Sequence, residues 1–215
     1  MASYRAIQLQ RFADSFREGS EIISLDLVDP KPGEVRVRNL YCGINGIFDT
    51  QIARNAVDYV TIGLPTLTGV EALGVVEACG ADVTDLKEGD AVVTTRFPSG
   101  YREYNTGPAE HFVKVPDTSP EWLVLASTGV SAYVALKNIG DLKTGETVAI
   151  SAAAGGLGHL LVQIAKLHEC HVVGVCGGRR KGDFVQSLGC DRVIDYRSES
   201  VAEVLETHYK DKLNV

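Results

Sequence analysis

The chain has 215 residues, 45% hydrophobic and 23% charged. That is the composition of an ordinary globular protein with enough apolar material to bury a core in one or two domains. A formal net charge of −7 at pH 7 argues against nucleic acid or an anionic membrane as the main partner.

The opening stretch, MASYRAIQLQRFADSF, has no apolar h-region and does not read as a secretory signal. No stretch approaches the length of a membrane span. A cytoplasmic protein is the expectation, with peroxisomal and mitochondrial addresses left open. Up to about residue 120, short β-rich runs alternate with turn signals. Strands are predicted at Glu34–Leu40, Gly74–Ala78, Ala91–Thr94 and Glu110–Val115, with breaks at 30–33 (PKPG), 87–90 (KEGD) and 98–107. This predicts a β-rich domain over residues 1–122.

From 123 to 215 the texture is strand and helix in alternation. A helix is predicted at Pro120–Ile139, with Ser119 as its N-cap and Pro120 at its first position. Then come strand Thr147–Ser151, helix Gly156–His168, strand His171–Val175, helix Lys181–Leu188, strand Arg192–Ile194 and helix Val201–Tyr209. The order predicts an α/β unit with a parallel sheet built by right-handed crossovers. Residues Lys212–Val215 read as the first step into a fourth strand.

Five cysteines (Cys42, Cys79, Cys170, Cys176, Cys190) contain no CxxC pair. Reduced thiols in an intracellular protein are expected, with Cys79, Cys170 and Cys190 as core filler.

The strongest chemical signal is TVAISAAAGGLG at 147–158. A buried strand runs into Ala153-Ala154-Gly155-Gly156-Leu157-Gly158 and then into an amphipathic helix. Small residues suit a tight turn that brings backbone close to a pyrophosphate and helix close to strand. The helix N-terminus offers free N–H groups and a positive dipole end. A tight loop without a ligand would also use glycine, but the strand–turn–helix setting favours the dinucleotide reading.

The end of the next strand, Val175-Cys176-Gly177-Gly178-Arg179-Arg180-Lys181, lacks the acid that binds an NAD ribose. It carries three cations instead. Cations at a helix N-terminus are mildly unfavourable, and a 2′-phosphate supplies a reason for them. The alternative is a solvated, basic helix start. NADPH is therefore expected over NADH.

With these residues in hand, the chain resembles the zinc-independent medium-chain dehydrogenase/reductases, the quinone oxidoreductase and prostaglandin reductase type. The resemblance covers essentially the whole chain. It is carried by Cys42-Gly43-Ile44-Asn45 with Asp49, by 69–76 (GVEALGVV), by 88–92 (EGDAV), by Ala109-Glu110-His111, by Ser131-Ala132-Tyr133, and by Ser187-Leu188-Gly189-Cys190-Asp191 with Ile194-Asp195-Tyr196. It implies a β-rich GroES-like catalytic domain followed by a Rossmann doubly wound parallel sheet, truncated here.

The resemblance also implies NADPH-dependent hydride transfer to an enone or a quinone, a small-molecule substrate and a homodimer. Where zinc relatives place a Cys and a His as metal ligands, this chain has Asn45 and Val70, so no metal is expected. Asn45 is expected in the cleft beside nicotinamide and substrate, or alternatively as a turn-stabilising amide. Tyr59 is a weaker candidate in a loop that shapes the pocket, or a packing residue. Gly155, Gly156, Leu157 and Gly158 map to the pyrophosphate turn. Gly177, Gly178 and Lys181 map to the 2′-phosphate loop, Arg179 or Arg180 replaces a serine that relatives often carry there, and Tyr196 lies near the same phosphate.

Family members are longer. Without a fourth strand, Thr147–Ser151 is expected to be an exposed apolar edge. A chain that ended here would be a poor catalyst of marginal stability. A catalytically weak NADPH-binding protein with a regulatory or structural role is the alternative function.

Overall fold

Strand β1 (Ser3–Leu9) buries Ala6 and Leu9 while its neighbours stay partly exposed. This is the first element of a computed structural model that describes residues 2–215. A short helix α1 (Phe16–Gly19), capped by the Ser15 side chain, turns the chain into β2 (Ser20–Asp26), which pairs antiparallel with β1 along its length. β3 (Glu34–Cys42) alternates as a half-buried strand should, with Val35 and Val37 inside and Arg36 and Arg38 turned toward Asp29 and Glu77. Helix α2 (Gly46–Ala53) and the short β4 (Thr66–Leu67) follow, and β4 closes the first sheet in the order β2-β1-β4.

The second sheet is larger. β5 (Ala72–Cys79), β6 (Ala91–Thr94), β7 (Tyr104–Pro108) and β8 (Val113–Lys114) join β3 in the order β7-β3-β5-β6-β8, every pair antiparallel. Val35, Val37, Val76, Val92 and Phe112 form one core cluster against it. Each large side chain so buried contributes about 1.5–3 kcal/mol of hydrophobic stabilisation. The predicted strand at Glu110–Val115 is corrected. Ala109–His111 is a 3₁₀ turn and only Val113–Lys114 pairs, because β6 offers a partner to two residues alone.

Two units result, Met1–Ser127 and Thr128–Val215. The helical run predicted from Pro120 begins as α3 (Glu121–Val124) and passes through a π turn at Leu125–Gly129. It continues as α4 (Val130–Val134) and ends in a second π turn at Ala135–Ile139. The expected Ser119 cap is not made. Pro120 holds the cap position with no side-chain bond. Instead the Asp117 carboxylate accepts from the Ser119 N–H and the Trp122 indole, at 2.8 and 3.1 Å.

A second correction concerns the same run. Glu121–Ile139 is 19 residues long and apolar enough, by length and composition alone, to cross a membrane. Its only charges are Glu121 and Lys137. Its buried residues serve protein cores: Leu123 joins a cluster of the first unit and Leu136 one of the second.

In the second unit, β9 (Thr147–Ile150), β10 (His171–Cys176) and β11 (Arg192–Asp195) form a parallel sheet in the order β11-β10-β9. Helix α5 (Gly158–Leu167) packs on β9 and β10, α6 (Arg179–Ser187) on β10 and β11, and α7 (Val201–His208) on β11. Val148, Ile150, Val162, Val172, Val185 and Cys190 fill the core. This is the third-second-first order of one half of a doubly wound sheet.

Two helix starts move from their expected places. α5 begins at Gly158 rather than Gly156, because the turn consumes two more residues. α6 begins at Arg179 rather than Lys181, so all three cations lie in its first turn. The bare edge expected for β9 is also corrected. Ala149 N–H donates to Val215 O at 2.9 Å and Thr147 O accepts from Asn214 N–H at 2.9 Å, so the last residues already occupy the fourth-strand position.

Candidate functional site

In the second unit the site grows out of the turn after β9. Ala152 lies in the left-handed region, at φ +48°, an uncommon conformation for a residue with a Cβ. Ala153, which stands where a glycine was expected, is fully buried, and its N–H donates to Val175 O at 3.0 Å. The room for its methyl comes from the neighbouring strand. A Cβ on Gly174 would meet the Ala153 methyl at 3.1 Å. The small residue that the fingerprint lacks at 153 is thus supplied across the sheet.

Gly158 is the tightest point. A Cβ there would come within 2.3 Å of Ala152 O and 2.7 Å of Ala153 Cα, so α5 starts hard against the turn. Its dipole end is positive, although the His159, Leu160 and Leu161 N–H groups already donate to Gly155 O and Leu157 O.

Beside this turn is a cavity of about 140 Å³. It is lined by Ala154, Gly155, Cys176, Gly177, Lys181 and Tyr196, together with Ala152. Four of the expected cofactor residues, Gly155, Gly177, Lys181 and Tyr196, therefore converge. Gly156 and Leu157 lie on the exposed side of the turn and Gly158 is buried beneath it. Gly178, at φ +86°, caps α6, and its N–H donates to Asp195 Oδ1 at 2.9 Å. The Arg197 N–H reaches the same oxygen at 3.0 Å. These two N–H groups hold the Asp195 carboxyl below the usual carboxylate range.

Arg179 does not line the cavity. Its side chain is 95% exposed and lies 3.7 Å from Asp183. Arg197 was missed by sequence reasoning. Its guanidinium stands 3.2 Å from where a Gly178 Cβ would be, beside the cap of α6. Its only signal in the sequence was its place beside Tyr196.

In the first unit, Asn45 closes the segment after β3 and precedes α2. Its Nδ2 donates to Glu71 Oε1 at 3.2 Å. Glu71 is 6% exposed, and its other oxygen is buried without a hydrogen-bond partner. Gly43 allows this approach, since a Cβ there would fall 1.9 Å from Glu71 Oε1. A cavity of about 430 Å³ in this unit is lined by Ile7, Phe16, Cys42, Ile44, Gly46, Asp49, Thr50 and Tyr101, and Asn45, between Ile44 and Gly46 in sequence, is not among its lining residues.

Sequence reasoning did not single out the pair that marks this cavity. Tyr101 donates its hydroxyl to Asp49 Oδ2 in a short hydrogen bond. Burial pushes the Tyr101 hydroxyl far up, and Asp49 adds to the effect. Burial also raises Asp49, against the pull of the Tyr101 bond. The Cys42 thiol is raised by burial and then by Asp49 and Glu71, so it stays protonated at neutral pH. Asp49 was visible in the quoted segment, but Tyr101 is 52 residues away, and nothing in its loop announced it. Tyr59 is 73% exposed and does not line the cavity. Among the described residues no three His, Cys, Asp or Glu side chains are grouped to hold a metal ion.

Both units match known families. Residues 31–117 match the alcohol dehydrogenase GroES-like domain and residues 156–215 the zinc-binding dehydrogenase family. The chain is 35% identical over 207 residues to prostaglandin reductase-3 of Bos taurus, covering 95% of this chain and 54% of that protein. It is 34% identical over 202 residues to a probable quinone oxidoreductase of Leishmania amazonensis, covering 93% and 58%. The chain thus spans about half the length of the curated relatives it matches.

Among solved structures, the quinone oxidoreductase of Pseudomonas syringae superposes with a TM-score of 0.83 at 33% identity, over 94% of this chain and 62% of that one. The Escherichia coli quinone oxidoreductase, solved with NADPH, gives 0.81 at 29% identity, over 95% and 62%. The GroES-like and Rossmann-type units, their order along the chain and these relatives together place the chain in the medium-chain dehydrogenase/reductase family, on its quinone oxidoreductase and prostaglandin reductase branch.

Proposed function

We propose that this protein is an NADPH-dependent reductase of enones or quinones that works without zinc. The observation that carries the reading is the cavity at the ends of β9 and β10, where the phosphate turn, Lys181 and Tyr196 meet. It fits a phosphorylated dinucleotide by its chemistry. Gly158 lets α5 start hard against the turn, where a Cβ would strike its backbone, a helix N-terminus favours an anion, and cations occupy the place where an NAD site keeps a carboxylate. NADPH, when bound, supplies a hydride to the β-carbon of an activated alkene or to a quinone.

The chain's own residues do the rest. The turn at 155–158 receives the pyrophosphate, with Gly156 and Leu157 on its exposed side. Lys181 and Arg197 neutralise the 2′-phosphate, and the Tyr196 ring walls it. In the first unit the apolar cavity excludes water from a flat carbonyl compound. The oxygen that gains charge during reduction needs a hydrogen-bond donor. Tyr101 is committed to Asp49. Asn45 has one Nδ2 hydrogen on Glu71 and a second to offer, which makes it the preferred candidate. Zinc does not fit this donor set, because Val70 has no ligand atom and an amide at 45 is a poor one.

Steady-state oxidation of NADPH in the presence of an enone and of a quinone tests the reading. Substrate-dependent oxidation that is unaffected by chelators is expected. Tight NADPH binding with no oxidation by either substrate would contradict it and favour a binding protein.

A further inference from the structure

We propose, resting on the reductase reading above, that the Tyr101 ring sets how long a substrate tail the first unit accepts, by standing between two cavities that would otherwise run together. The cavity of about 430 Å³ and a second one of about 290 Å³ share three lining residues, Ile7, Cys42 and Tyr101. Beyond them the second is lined by Ile22, Leu40 and Tyr41, among others. Ile7 lies in β1 and Cys42 ends β3, and the side chains of both are small beside a phenol ring. Tyr101 is the shared residue whose removal opens one cavity into the other.

The ring is held from three sides. Its hydroxyl donates to Asp49 Oδ2 in a short hydrogen bond. Its edge meets the Phe16 ring, with centroids 5.9 Å apart and planes at 75°, a geometry that aromatic pairs favour. Its root packs on Gly69, at φ +85°, where a Cβ would fall 2.8 Å from Tyr101 Cγ. The backbone is fixed too: Tyr101 N–H donates to Thr68 O at 3.0 Å, and Tyr101 O accepts from Ile7 N–H at 2.8 Å. A ring pinned in this way is a wall. A cavity of about 430 Å³ is near the small end for a small-molecule site, and joined to its neighbour it would take a longer tail. While a tail stays inside the apolar cavity, each methylene removed from water tightens binding about fourfold. The gain stops where the tail meets Tyr101.

Calorimetric titration of the full chain with straight-chain methyl ketones, from pentan-2-one to tridecan-2-one, tests the proposal. In the parent, affinity is expected to climb about fourfold per methylene and then level off. In Tyr101→Ala the climb should continue, so that the longest ketones bind at least about tenfold tighter than they do to the parent. Tyr101→Phe keeps the ring and loses only the hydroxyl, and should level off where the parent does. That rescue separates a wall from a general loss of packing. Tyr101→Leu, a milder truncation, should move the limit in the same direction as alanine, and serves if the alanine variant does not fold. A parent series that never levels off, a limit unmoved in Tyr101→Ala and Tyr101→Leu, a limit moved as far by Tyr101→Phe, or no ketone bound at all would each overturn the proposal. NADPH titrated into the same samples reads the reductase assignment separately. NADPH binding without a length limit sinks the Tyr101 proposal alone, and a length limit without NADPH binding sinks the reductase reading alone.

Discussion

The ring of Tyr196 occupies the space that a side chain at position 177 would need: a Cβ built on Gly177 falls 2.4 Å from the Tyr196 hydroxyl oxygen. The two residues come from the ends of β10 and β11, and they bring the edge of the phosphate loop against an aromatic face. Gly177→Ala should push the half-exposed ring away and open the cavity. The expected result is NADPH binding weakened by about tenfold, with little change in melting temperature. Fluorescence titration against thermal melting checks it. A variant that binds NADPH as the parent does would show that the contact is incidental.

Gly158 should behave in the opposite way. Its Cβ would meet backbone, Ala152 O and Ala153 Cα, and backbone in a turn cannot swing aside like a side chain. Gly158→Ala should cost about 1–3 kcal/mol of stability, read from urea denaturation, and should weaken NADPH binding with it. A melting curve indistinguishable from the parent's would contradict the close approach.

Asn45 carries a structural burden alongside its proposed catalytic one. It is the donor to a buried carboxylate whose second oxygen has no partner. Asn45→Ala should therefore destabilise the first unit by about 1–3 kcal/mol, the cost of leaving a buried acceptor unmet. Asn45→Asp should be worse, since it sets a carboxylate against Glu71. Activity measured for either variant needs its stability beside it. An Asn45→Ala protein of parental stability with reduced turnover would assign the residue to chemistry alone.

Much of this was legible in the sequence. The strand–turn–helix with small residues at 153–158 fits a dinucleotide turn in all its features, and the parallel order followed from alternation of strands and helices. Gly155, Gly177, Lys181 and Tyr196, named from the sequence, line one cavity. What could not be read was everything that depends on distant residues meeting. Tyr101 reaches Asp49 across 52 positions, and Gly174 makes room for Ala153 from another strand. Arg179 looked equivalent to Lys181 in a basic run, but helical geometry turns successive residues about a hundred degrees apart. Only Lys181 lines the cavity. Ser119 looked like a cap because its type is right, yet its own N–H is held by Asp117 Oδ1 and the first backbone N–H groups of the helix donate to the Ser119 and Pro120 carbonyls.

The second unit should also show a defined acid sensitivity. Burial works to raise the Asp191 carboxyl, but the Lys166 ammonium at 2.8 Å, the Val172 N–H at 2.7 Å and His171 outweigh it, and its pKa is lowered. A lowered carboxylate stabilises the fold above its unfolded value of about 3.9, and that contribution is lost as pH falls through the folded value. Asp191→Asn should melt at a lower temperature than the parent at neutral pH. The gap should close as pH falls through the lowered folded value of Asp191. A gap that is constant with pH would show that the carboxylate's charge is not what matters.

The central claim, that the basic loop after β10 selects a 2′-phosphorylated dinucleotide, is tested most directly by titrating the chain with NADPH and NADH side by side. The account predicts at least about tenfold tighter binding of NADPH. Lys181→Ala should remove most of that preference, and Arg179→Ala, whose side chain stands in solvent beside Asp183, should reduce it by less than about threefold. Equal affinity for the two dinucleotides, or a preference untouched by Lys181→Ala, would contradict it.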